Sequence, residues 1–327
     1  MVESPQRSRS LRVKIVLAFG AIYIVWASTY LAIRIAVQTI PPFWLAGSRF
    51  LLAGAILYVI ARATGAPPPL RRHWLAAAGV GAVLLVGGNS SLVWAEQRVP
   101  SALAATILAM IPLWMVLLDS LRKGGPTLTG RIAIGLVIGL AGVGILVGPA
   151  KLWGSSRVDI LGVAVLMFSA FCWAVGSLQS RSTKLPPSPF LAAAMEMVAG
   201  GAILIAMGIL VEGRQLHLHA ISTRSAAGLL YLVIFGSLVS FTAYIWLLGV
   251  VATSHVATYG YVNPAVAVAL GWAFGGESIS VRQLVATAII VAAVVLILSH
   301  SHQPVAVAPD TEGFPTLDEE RAMRIGE

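Results

Sequence analysis

Two charged side chains lie well inside long apolar stretches of this 327-residue chain, Arg49 and Glu196. If those stretches cross a membrane, each charge near a helix centre costs about 2.5–3.5 kcal/mol on insertion scales and needs a reason. A carboxyl group held in hydrocarbon can exchange a proton, so Glu196 is a candidate for proton coupling, with a structural hydrogen bond as the alternative. Arg49 is expected to bind helix-end carbonyls. Arg34 and Arg181 stand at the ends of their stretches and are expected to snorkel to opposite interfaces.

A second set of candidates is aromatic and polar. Tyr259, Val262 and Asn263 share a helix face at i, i+3 and i+4, with His255 a turn earlier and Tyr261 close by. Trp26, Thr29, Tyr30 and Ile33 form a similar face, and Trp173, Gly176 and Ser177 echo it. Asn89 and Tyr244 are weaker candidates of the same kind. Phenol and amide groups in hydrocarbon need partners, so these faces look into a bundle, either as cavity lining or as glue between helices. A buried tryptophan can wall a site for an apolar or cationic molecule, and core packing is its bland alternative.

Catalytic and metal chemistry find little support. The six histidines sit at 73, 217, 219, 255, 300 and 302, mostly in loops, with no H-E-x-x-H pattern. The single cysteine, Cys172, excludes an intrachain disulfide, and no metal cluster is indicated. No G-x-x-x-x-G-K-[ST] sequence is present, so ATP is not the direct driver. The expectation is no enzyme, no metal and no cofactor.

The elements that must position these residues follow from composition. Hydrophobic residues make up 58% of the chain and charged residues 11%, against roughly 25% charged in a soluble domain. Apolar runs of about 20 residues indicate helices rather than the alternating ten-residue strands of a barrel. Ten spans are placed at 14–36, 43–63, 74–95, 101–121, 130–148, 158–181, 190–211, 226–249, 255–275 and 282–300. Short loops such as Pro67-Pro68-Pro69 and Gly124-Gly125-Pro126 join them. The basic N-terminal segment 1–13 precedes a run too long for a cleaved signal, and residues 301–327 form an acidic tail expected to be disordered.

The formal charge of +9 is scattered between spans, which argues for topology determinants and against a nucleic-acid partner. The side carrying the N-terminus collects 14 Lys and Arg residues and the other side 7. Both termini are therefore expected in the cytoplasm. Glycines 135, 139, 142, 144 and 148 in the fifth span suit close helix packing, and both a monomer and a homodimer fit them.

The chain also repeats itself. At an offset of 147 residues, 26–57 matches 173–204 at 11 of 32 positions, including Trp26/Trp173, Arg34/Arg181 and Pro42/Pro189. At an offset of 152, Val99–Pro112 matches Val251–Pro264 at Val, Ala, Thr and Pro. The units are 14–148 and 158–300. Each holds five spans, an odd number, so the second must be inverted relative to the first. This gives an all-α integral membrane protein of ten transmembrane helices in two five-helix inverted-topology repeats. Such repeats place a substrate site at their interface. Pro112 and Pro264, at equivalent positions, are candidate hinges, with static kinks as the alternative. Inversion also separates Arg49 from Glu196 by roughly 9 Å in height, so they are not expected to pair.

These residues resemble a known family. Trp26-Ala27-Ser28-Thr29-Tyr30 with Arg34 resembles the W-G-S-T-Y…R opening of the EamA family in the drug/metabolite transporter superfamily, with Ala27 in place of its usual glycine. Pro41-Pro42 with Arg49-Phe50-Leu51 resembles its second span, and Tyr261-Val262-Asn263-Pro264 with Gly276-Glu277 its ninth span and exit. The best match is to the YedA-like branch of inner-membrane transporters. The resemblance implies a central cavity lined by spans 1, 3, 4, 6, 8 and 9. It also implies export of a small molecule such as a metabolite, amino acid or drug, while the inverted repeats support alternating access, membrane lipids are expected partners and Glu196 makes a proton the candidate coupling ion. A lipid-carrier flippase of the same superfamily is the alternative, with Arg34 and Arg49 for a phosphate headgroup.

Overall fold

The computed structural model describes residues 5–122, 130–147, 159–213, 215–251, 253–277 and 279–298. The tail 301–327 and the first four residues of the N-terminal segment lie outside them, as does Gly148. Among the described residues there is no strand. Seven helices are long and apolar enough to cross a membrane: α1 (Leu11–Ala36), α2 (Pro42–Ala63), α3 (Arg71–Ala95), α4 (Ser101–Ser120), α6 (Ile160–Ser182), α7 (Pro189–Glu212) and α8 (Thr223–Val250). Three shorter apolar helices complete ten: α5 (Gly130–Val147), α9 (Tyr259–Gly275) and α10 (Val281–Leu298). The spans read from the sequence agree to within about a turn of helix.

Helix starts follow from local chemistry. Pro42 opens α2, where a missing N–H costs nothing. Asp159, Ser188 and Ser222 cap α6, α7 and α8, accepting from the backbone N–H of Gly162, Leu191 and Ser225. The Asp159 carboxylate also accepts from Arg98 at 2.7 Å, which holds its carboxyl below the usual range.

The two repeats embrace rather than sit side by side. α2 packs on α7, α4 on α9, and α5 on α10, so equivalent helices meet across an axis. The contact of α6 with α3 is the repeat image of the contact of α1 with α8. Along the first seam Trp44 faces Gly208, Gly47 faces Ile205, Leu51 faces Gly201 and Gly54 faces Val198. Numbers rise on one helix as they fall on the other, so α2 and α7 run antiparallel. In the fifth span, Gly139 packs against Leu113 and Met110, and Gly142 against Ile290 and Ile289. Those glycines serve contacts within the chain.

Three helices contain stretches of π-helix, where each turn of the backbone ladder holds an extra residue: Ala21–Val25 in α1, Ala82–Ser90 in α3 and Leu232–Phe241 in α8. The last two fall at equivalent repeat positions. Such stretches concentrate at functional sites because they expose carbonyls and re-aim side chains. The prolines behave differently from simple kinks. α4 breaks into Ser101–Leu108 and Ile111–Ser120, with Pro112 in the first turn of the second piece. Pro264 stands inside Tyr259–Gly275, and the interruption comes earlier, at residues 257–258, after the short helix Thr253–Val256. A proline is accommodated in a helix's first turn without losing a bond, so Pro112 starts a helix where a kink was expected. The Pro112 ring packs on Gly260, where an added Cβ would lie 2.4 Å from its Cγ.

Candidate functional site

Between the repeats lies a narrow cavity, part of it open to solvent. α1 supplies Trp26, Thr29 and Tyr30; α3 supplies Gly88, Asn89 and Leu92. α4 contributes Leu108 and Ile111 beside its break, α6 contributes Ser169 and Trp173, and α9 contributes Tyr259 and Asn263. Arg49 reaches in from α2. The structure thus gathers seven of the cavity candidates named from the sequence, and Arg49 with them, around one space.

The aromatic wall is a single cluster. Trp26 and Trp173, equivalent residues of the two repeats, meet edge to face with ring centroids 5.4 Å apart. Trp26 also contacts Tyr244 at 5.0 Å and Tyr259 at 5.4 Å, and Tyr244 contacts Trp173 at 6.0 Å and Tyr259 at 5.8 Å. Tyr244 stands behind the lining, its hydroxyl 2.5 Å from that of Ser177, so these two support the wall without forming it. His255 is not among the lining residues; its carbonyl accepts from Thr258 at 2.6 Å. The side chain of Tyr261 lies outside the described residues. Asn263, with its NH2 turned inward, donates to the Ile22 and Tyr23 carbonyls at 3.0 Å each, in the π-helical stretch of α1. It therefore both lines the cavity and ties α9 to α1.

Arg49 departs from its sequence reading. It does not bind helix-end carbonyls: its Nε donates to Ser237 Oγ at 2.8 Å, in the π-helical stretch of α8, and its guanidinium lies 4.7 Å from the Phe50 ring. The second span therefore joins the lining, while the eighth stands one layer back. Neither charge of the expected non-pair is bonded to the other: Glu196 Oε1 accepts from Ser180 at 2.8 Å, and its Oε2 has no partner.

Arg34 does not snorkel freely. Its Nη1 donates to the carbonyls of Glu96 and Val99 at 3.0 and 2.6 Å, and its Nε lies 3.5 Å from Glu277. Gly276, at φ +64°, ends α9 with the Glu277 N–H donating back to the Gly271 carbonyl at 3.0 Å, the reversal a left-handed residue permits. That turn delivers the Glu277 carboxylate to the start of α4, where it accepts from Ser101 N at 2.9 Å, Ser101 Oγ at 2.7 Å and Ala102 N at 3.1 Å. Glu212, at the end of α7, caps α2 in the same way through Phe43 N and Trp44 N. The face of the bundle where α1 ends is thus laced together across the repeats, with carboxylates at helix N-termini where the dipole favours them.

Sequence reasoning missed Glu96. It follows α3 in a turn that reads as a loop, yet it is 1% exposed and neither carboxylate oxygen has a partner. Glu196 is therefore not the lone embedded carboxylate. Burial pushes the Glu96 carboxyl well above its ordinary value near 4.5, and the charge of Glu277 adds to this; Arg34 and Arg49 oppose it. Because the folded value exceeds the unfolded one, stability is greatest at low pH and is lost as pH rises through the folded value. Apparent melting temperature of the purified protein should fall between pH 4.5 and neutrality, and Glu96→Gln should flatten that slope. An unchanged slope would place the titrating group elsewhere.

Ten membrane helices in two inverted units around a shared cavity define a membrane protein of the two-repeat transporter type. The model of the EamA-like transporter family matches residues 13–148 and again 160–299. The chain belongs to that family. It is 37% identical over 281 residues to the "Uncharacterized inner membrane transporter YedA" of Escherichia coli (strain K12), covering 86% of this chain and 89% of that protein. It is 24% identical over 258 residues to the same strain's "Probable amino-acid metabolite efflux pump", covering 76% and 82%. A solved crystal structure, 21% identical, superposes with a TM-score of 0.62 over 87% of this chain and 96% of its own, a likeness that carries the fold alone. These relatives are named as transporters and pumps, not as enzymes.

Proposed function

We propose that the chain is a secondary transporter that exports a small organic molecule by alternating access around the aromatic cavity. One observation carries the reading. Trp26 and Trp173, the same position in two inverted units, wall the same space. A site on the symmetry element of inverted repeats can be presented to either side by rocking one unit against the other. The breaks in α4 and before α9, with Pro112 seated on Gly260, supply places where such rocking is absorbed. The two units are residues 14–148 and 158–300, and the Lys and Arg bias puts both termini in the cytoplasm. On that orientation the glutamate-capped face is external, and outward is the proposed direction of transport. A relative named as an efflux pump supports the same direction.

The reading is tested in proteoliposomes against a panel of amino acids, organic acids, sugars and amines. At least one is expected to move faster than in empty vesicles, and a panel that moves nowhere would refute transport. Glu196, with one oxygen held by Ser180 and the other without a partner, is the candidate for a coupling proton. Glu196→Gln should abolish any acceleration by a pH gradient, and an unchanged response would remove that role.

A further inference from the structure

The polar atoms of the cavity are out of balance. Arg49 is 2% exposed, and its guanidinium uses Nε on Ser237 while Nη1 has no partner. Asn89 Oδ1 is likewise buried without a partner, and both side chains line the same space, where Trp173 Nε1 and Tyr259 Oη lie close to each other and to the Tyr244 hydroxyl. Nη1 is a donor on a permanently charged group, and Oδ1 is an acceptor. Among the described residues no aspartate or glutamate lines the cavity; the carboxylate that feels the Arg49 charge is Glu96, which stands outside the lining and makes no bond to it. A buried charged donor left unpaired is costly, so something else should meet it.

We infer that the cavity takes a small organic anion, its carboxylate on Arg49 and its apolar body against Trp26, Trp173 and Tyr259. This rests on the reading of the cavity as the transported molecule's site, and it names that molecule's class. The guanidinium is held for the purpose. Ser237 fixes one edge and the Phe50 ring one face. Gly236 leaves room for Nη2, which a Cβ there would approach to 2.7 Å. Nη1 remains for a carboxylate, and Asn89 Oδ1 is an acceptor for an N–H or O–H elsewhere on the molecule. Aromatic walls alone would also suit a cation, but a fixed guanidinium among them repels one. A phosphate dianion would call for a second cation, and the lining contains only Arg49.

The test uses two probes with the same ring and opposite charge, indole-3-acetate and tryptamine, added to the full-length purified protein in a thermal-shift titration. Indole-3-acetate is expected to raise the apparent melting temperature by binding the folded state, and tryptamine to leave it unchanged. Arg49→Gln should weaken indole-3-acetate binding roughly tenfold or more, as loss of a charge-assisted bond implies. If that variant does not fold, indole-3-acetamide, which keeps the ring and loses the charge, should bind the unmodified protein roughly tenfold or more weakly than indole-3-acetate, and equal binding of the two would overturn the inference. Equal or greater stabilisation by tryptamine, an undiminished response in Arg49→Gln, or no response to indole-3-acetate would each overturn the inference. Arg49-dependent binding without movement of any panel compound in proteoliposomes would leave the anion site standing and remove the transport reading. Movement of amines alone would do the reverse.

Discussion

Gly201→Val is expected to cost about 3 kcal/mol or more, the upper part of the overpacking range, and to leave little monodisperse protein on size exclusion. A Cβ at Gly201 would lie 2.6 Å from the backbone nitrogen of Leu51 and 3.0 Å from its Cα. Backbone cannot swing aside as the end of a side chain can, so the whole of α2 would have to withdraw from α7. Gly54 makes the reciprocal approach to Val198, its Cβ position 2.7 Å from that backbone nitrogen. This seam is the closest joint between the repeats, and lipid-embedded helices hold together by such packing rather than by a hydrophobic drive. Gly144→Ala on α5 is the control. No atom outside its own stretch of helix lies within 4 Å of its added Cβ, so its melting temperature should match or slightly exceed that of the unmodified protein. If Gly201→Val melts alongside that control, the glycine seam is not what joins the halves.

Trp26→Ala should be nearly as damaging, by the opposite route. Its ring touches Trp173, Tyr244 and Tyr259, and it is 8% exposed. Truncation leaves a hole that three neighbouring rings cannot fill, at about 3–5 kcal/mol for an aromatic side chain. The apparent melting temperature should fall on the order of 10 °C. Trp26→Phe, which keeps a ring in place, should recover most of it. Trp173→Ala should lose less, because Trp173 meets two of these rings, Trp26 and Tyr244. A Trp173 variant less stable than the Trp26 variant would mean that the cluster is not centred where the ring contacts put it. Transport offers a separate readout: both truncations remove part of the wall, so substrate affinity should drop even in Trp26→Phe, where stability largely survives.

Much of this was readable in the residues because lipid is a severe solvent. Backbone groups within it must be bonded internally, so long apolar runs become helices, and an odd span count inverts a repeated unit. Trp26 and Trp173 in register therefore pointed to a shared site before any coordinates. What failed was depth and direction. Glu96 drew no attention in the sequence because it follows the last residue of the third span, and nothing local reveals that Arg34 of α1 and Glu277 after α9 lie near it. Arg34 looked like an interfacial cation, since its position at the end of α1 is compatible with snorkelling until Glu277 is brought beside it. Gly276 held the signal: its left-handed turn aims Glu277 at α4.

The sequence by itself determined the ten helices, the two inverted units and which tryptophans are equivalent, because hydropathy and repetition are properties of neighbours along the chain. Only the tertiary structure decided that Arg49 faces the cavity with one nitrogen unused, that Tyr244 and Ser177 stand behind the wall, and that α4 breaks before Pro112 rather than bending at it. Each of these depends on which helix lies opposite, and a π-helical stretch of a few residues is enough to turn a side chain from lipid or packing toward the cavity. Spacing along one helix cannot fix that angle; contact between two helices does.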